Sequence, residues 1–85
     1  MKKDKNFEHR PILNDIIYGI VENQIRDNNP KETKETLNRL MNLGYNRLDA
    51  IQKIGSVVTE EIYDVLKKGE DFNENRFVRK LLDLK

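Results

Sequence analysis

Whatever chemistry this sequence could perform rests on two clusters of charged side chains and a single histidine. Glu60, Glu61 and Asp64 stand close together in the second half of the chain. Paired carboxylates can move protons or hold a hard cation. On a helix the same spacing gives a solvated face, with Asp64 pairing to Lys68 one turn on, and that is the reading adopted. Arg76, Arg79 and Lys80 form a possible basic patch on the outward face of the last helix, with Asp83 among them. Lys2, Lys3, Lys5 and Arg10 gather at the other end. Nucleic-acid contact would need such patches. His9 sits beside Arg10 in a charged arm and reads as a solvated residue rather than a base. The glycines at 19, 44, 55 and 69 are isolated, so there is no phosphate-cradling loop. No nucleophile stands beside a recognisable base, and the chain is not expected to be an enzyme.

Composition narrows the field further. Eighty-five residues are enough for one small domain. The absence of cysteine excludes disulfide scaffolds, thiolate-held zinc or iron–sulfur sites and thiol nucleophiles. One histidine excludes a multi-histidine site, so neither a cofactor nor a transition metal is expected. The net charge of +1 supplies no global attraction to nucleic acid or an anionic membrane. No apolar run approaches the roughly 20 residues of a membrane span. No apolar stretch follows Met1-Lys2-Lys3-Asp4-Lys5 in the manner of a secretion signal, so a cytoplasmic location is expected.

The elements that must position these residues are all helical. Residues 1–10 are charged and aperiodic and read as a mobile N-terminal arm. Pro11 suits a first helical position, and Ile12, Leu13, Ile16, Ile17, Ile20, Val21 and Ile25 then fill one arc, with Gly19 a weak link. Asn29, Pro30 and Glu32 suggest an N-cap, a first turn and a capping box for a second helix. Its apolar face is Leu37, Leu40 and Met41, its outer pair is Glu35–Arg39, and Gly44 ends it, with Tyr45 folding back. Asn46 with Asp49 caps a third helix that runs at 3.6-residue spacing from Leu48 to Leu66 and stops at Gly69. Gly55-Ser56 is a possible kink. Asn73 caps a fourth helix, with Phe72 and Phe77 as a hydrophobic staple. No segment alternates with period two. The predicted fold is all-α: a four-helix compact bundle with short loops, residues 11–85, behind the arm. The third helix carries an apolar arc wider than one neighbour needs, extended by Ala50 and Val57, and this predicts a homodimer.

Two stretches, Pro11-Ile12-Leu13-Asn14-Asp15-Ile16-Ile17-Tyr18-Gly19-Ile20-Val21-Glu22-Asn23-Gln24 and Gly44-Tyr45-Asn46-Arg47-Leu48-Asp49-Ala50-Ile51-Gln52, resemble a bacterial family of small uncharacterised proteins, a domain of unknown function. The likeness continues through Gly55-Ser56-Val57-Val58-Thr59-Glu60-Glu61-Ile62 and covers about residues 11–84. That family carries His at the four positions held here by Asn14, Tyr18, Leu48 and Gln52. Glu22 matches. Asn14, Tyr18 and Glu22 form an i, i+4 row on helix one, and Leu48 and Gln52 form another on helix three. The resemblance implies a crevice between the rows in which a metal-like site has degenerated. Leu cannot ligate, and Asn and Gln oxygens favour only weak hard-cation contacts. Tyr18 and Gln52 are expected to be interior-facing neighbours, with Glu22 near the open end. A shorter stretch, Leu40-Met41-Asn42-Leu43-Gly44-Tyr45-Asn46-Arg47 with Ala50-Ile51, is similar to the loop of ubiquitin-associated domains, which bind ubiquitin. The helix after it is longer than that family's middle helix.

The sequence therefore points to a small cytoplasmic helical protein that works by contact with another protein or with a second copy. Nucleic-acid binding through the basic chain ends is the alternative.

Overall fold

Three left-handed backbone positions punctuate the chain. Asn28 (φ 54°), Gly44 (φ 112°) and Gly69 (φ 67°) each stand just beyond the end of a helix. At the first, Asn28 N–H donates to the Ile25 carbonyl and Asn29 N–H to that of Gln24. At the second, Gly44 N–H donates to Met41 and Tyr45 N–H to Leu40. Both are Schellman closures, which satisfy terminal carbonyls that the helix leaves unpaired. The four helices they separate are α1 (Pro11–Asp27), α2 (Lys31–Asn42), α3 (Arg47–Lys68) and α4 (Glu74–Asp83). The computed structural model describes residues 11–85, with side chains from residue 15 onward. The predicted arm, residues 1–10, lies outside the described residues.

The architecture is an all-α four-helix bundle with short loops, and no strand occurs among the described residues. Helix α3 is the hub and packs on the other three. Helix α2 also touches α1 and α4, whereas α1 and α4 make no contact among the described residues. The core is built from Ile17 and Val21 of α1, Leu37 and Leu40 of α2, the α3 face centred on Ile54 and Val58, and Phe77 and Leu81 of α4. Gly55 sits where α3 meets α1, and α3 runs as one helix through Gly55-Ser56.

Two of the predicted caps form as expected. The Asn46 side chain accepts from Asp49 N–H at 2.8 Å, and Asn73 accepts from Arg76 N–H at 2.9 Å. The Phe72 and Phe77 rings meet at 5.5 Å as a staple. The capping box at α2 does not form. The N-cap is Pro30 rather than Asn29, and no side chain caps it. Asn29 is already committed as the second residue of the α1 closure, which takes it out of the capping position.

The apolar faces read in the sequence form most of the core, with differences at their edges. On α2, Thr33 and Thr36 are buried with Leu37 and Leu40, and Met41 is exposed. On α1, Ile16 is exposed, and Tyr18 packs against the core instead. On α3, Ala50 and Val57 are buried inside the chain. The wide apolar arc is thus filled by three intramolecular neighbours, and Val57 offers no surface for a second copy.

Candidate functional site

The residues matching the family-like pattern tie helices together. Arg47, the first residue of α3, donates from both terminal nitrogens to the Glu22 carboxylate of α1, at 2.8 and 2.9 Å. This forked pairing is the strong geometry for an arginine and a carboxylate. Its hydrogen bonds hold the Glu22 carboxyl below its usual range. Two residues on, Gln24 accepts the hydroxyl proton of fully buried Thr33 at 2.8 Å, which satisfies a polar group inside the α1–α2 seam.

The predicted crevice is not built. Gln52 is exposed and Leu48 is 55% exposed, so the second row faces solvent rather than the interior. The side that α3 turns to α1 runs through Ile51 and Gly55, and Leu48 and Gln52 lie off its edge. Tyr18 is half-buried against the core, and its hydroxyl has no hydrogen-bond partner among the described residues. Glu22 is taken up by Arg47. The side chain of Asn14 lies outside the described residues. Without an opposing row, the degenerate-site reading has no geometry behind it. Among the described residues no group of three or more His, Cys, Asp or Glu is arranged to hold a metal.

The most developed polar site was read in the sequence as two separate surface features. Glu61 is completely buried, and Arg76 of α4 grips its carboxylate, donating from Nε at 3.0 Å and from Nη2 at 3.0 Å. Lys80, one turn further along α4, places its ammonium 3.1 Å from Glu61 and 3.1 Å from Glu60. Arg76 also reaches Asp64 at 3.7 Å and Glu70 at 3.5 Å. The carboxylates read as a solvated face and the cations read as an outward patch are therefore one seam. Arg76 and Lys80 are turned inward onto α3, and of the three patch residues only Arg79 is exposed. Asp64 takes Arg76 rather than the anticipated Lys68. The Arg76 hydrogen bonds hold the Glu61 carboxyl below its ordinary value against the opposing effect of burial, and Lys80 adds to the same direction. Glu60 and then Glu61 raise Lys80 above the usual lysine value. The fully buried Glu61 carboxylate thus holds two cations of α4 against α3.

The far end of α4 is held from α2. Arg39 does not serve Glu35; it donates to the Leu84 carbonyl and, at 2.8 Å, to that of Leu81. A cation at the carbonyl end of a helix also meets its favourable dipole. Tyr45 reaches the end of the chain rather than the end of α2, donating its hydroxyl to the Lys85 carbonyl at 3.2 Å beneath the Lys53 ammonium.

Helix α3 exposes Leu48, Tyr63 at 60% and Leu66 at 78%, although its inner arc is fully occupied. Met41 and Leu43 are also exposed around the Gly44 turn, in the stretch similar to the ubiquitin-associated loop. No described helix is long and apolar enough to cross a membrane. The chain matches no family model, no curated protein and no solved structure.

Proposed function

We propose that this chain is a cytoplasmic protein–protein interaction module, working by binding rather than catalysis, and that it associates with a second copy through the outer face of α3. One observation carries the reading: Leu66 and Tyr63 stay largely exposed on a helix whose inner face three neighbours already fill. Large apolar side chains grouped on one helix face are covered when a second protein docks there. Leu66 and Tyr63, three residues apart, lie on the same side of the helix. An isologous pairing would bring two such faces together around one two-fold axis. The alternative of nucleic-acid binding has lost two of its three C-terminal cations to α3 carboxylates. The likeness to the small bacterial family is kept as a proposal. The residues that match its pattern, Glu22, Gln24 and Arg47, act here as ties between helices.

Light scattering across a concentration series tests this reading. The expected result is a concentration-dependent dimer that Leu66→Glu abolishes while helicity by circular dichroism is unchanged. A strict monomer at millimolar protein concentration would overturn it.

A further inference from the structure

Helix α4 lies in a groove between α2 and α3 that is complementary to it in both shape and charge. Phe77 and Leu81 are its fully buried apolar anchors, and Arg76 and Lys80, one residue before each, meet the α3 carboxylates around buried Glu61. Among the described residues α4 touches only α2 and α3, so its seat does not involve α1. Its covalent connection is short and outside the packing. Residues 69–73 are all exposed, beginning at left-handed Gly69. Phe72 stacks on Phe77 and so travels with α4, leaving residues 69–71 as the hinge.

The geometry points to exchange of α4 between two copies of this chain, each copy seating its α4 in the other's α2–α3 groove. The proposal rests on the self-association just argued and specifies a second mode for it. The contacts in the exchanged form are those of the closed form, so only the hinge conformation and the concentration of copies decide between them. The occupant is specified by chemistry. The groove takes an amphipathic helix with a basic pair at i, i+4, each cation followed by a large apolar residue, and every copy carries such a helix. Three α3 carboxylates, Glu60, Glu61 and Asp64, face the two cations, so the groove selects against an acidic helix.

The absence of cysteine allows a direct test in the full chain. Lys80 Nζ and Glu60 Oε1 lie 3.1 Å apart, so a flexible bis-maleimide with the reach of those two side chains spans positions 60 and 80. A Glu60→Cys protein and a Lys80→Cys protein are mixed at high concentration, warmed, cooled and crosslinked. Exchange predicts a 60–80 heterodimer formed at least about tenfold faster than the 60–60 or 80–80 products. A double variant with both cysteines in one chain is the control for reach, and it should crosslink within the chain when dilute. Bridging in the dilute double variant, with no excess of 60–80 product between the single variants, overturns exchange. If the double variant does not bridge, the α4 seat itself is wrong and exchange falls with it. A dimer sensitive to Leu66→Glu but without 60–80 bridging leaves the α3 face standing and removes exchange. The converse leaves exchange and removes the face.

Discussion

Gly55 and Ile17 stand so close that a Cβ added to Gly55 would lie 3.0 Å from the Ile17 Cγ2 methyl. Ile17 is buried in the core and cannot swing into solvent to make room. Glycine here spares Ile17 a shift of a few tenths of an ångström where α1 approaches α3, although it weakens the helix it sits in. Gly19, also helical, has nothing within 4 Å of its added Cβ.

The two glycines should respond to alanine with opposite signs. Gly19→Ala should stabilise the fold by about 0.5–1 kcal/mol through helix propensity alone. At Gly55 the same gain is outweighed by overpacking, which costs about 1–3 kcal/mol, so Gly55→Ala should be destabilising by roughly 1 kcal/mol. Urea denaturation of the two variants checks both. A Gly55→Ala protein as stable as the parent would show that α1 and α3 do not meet as closely as described.

Glu61→Ala should cost about 3 kcal/mol, near the lower end for breaking a buried ion pair, because Arg76 and Lys80 can still reach water. Acid should mimic part of this loss. The carboxyls of Glu61 and Glu22 are both held below their usual range in the folded chain. Their contribution is complete above the unfolded carboxyl value of about 4.3 and is lost as pH falls towards the lower folded values. For Lys80, raised in the fold, the contribution is complete below about 10.4 and fades as pH rises through the higher folded value. Stability should therefore be flat between these limits. Glu61→Gln should flatten the acid limb in a series of thermal melts. An acid limb as steep as the parent's would assign it to other carboxyls.

Arg39→Met keeps much of the side-chain stem but removes both hydrogen bonds to the end of α4. A cost of about 2 kcal/mol is expected, within the range for bonds to a charged donor. Hydrogen exchange should locate the loss. Amides of α4 should exchange faster at a given denaturant concentration, while the local opening of α1 keeps the parent's rate. Equal acceleration in both helices would contradict the docking role.

Tyr18→Phe should change stability by less than about 0.5 kcal/mol, because the hydroxyl has no hydrogen-bond partner to lose among the described residues. Tyr18→Ala should cost about 2 kcal/mol, below the range for a fully buried aromatic. A cost of several kcal/mol for the phenylalanine variant, measured by chemical denaturation, would mean that the hydroxyl has a buried partner after all.

The contrast between Asn46 and Asn29 shows how much of this was legible beforehand. Both precede a helix and both look like caps. Asn46 caps α3, whereas Asn29 is drawn into the closure of the preceding helix, a competition that depends on Asn28 adopting a left-handed conformation. Helix number and order follow from such local signals. Which charged residues meet does not. Glu61 and Arg76 are 15 positions apart, and the pairing arises only when Phe77 and Leu81 seat α4 on α3. The signal available was weak but real: Glu61 lies three residues after Val58 and four before Val65, on the buried side of the helix rather than its outer face. Conversely, Leu48 and Leu66 lie in the 3.6-residue pattern yet are exposed, because both stand off the edge of the α3 face that its neighbours cover.

Among the described residues α1 and α4 make no contact, and this has a thermodynamic consequence. The two outer helices can communicate only through α2 and α3, so perturbations confined to each should combine without interaction energy. A chain carrying both Gly19→Ala and Leu81→Ala should show the sum of the separate effects to within about 0.5 kcal/mol. Each outer helix should also open as its own sub-global unit, leaving the other in place. This small domain would then unfold along two independent branches rather than as one block.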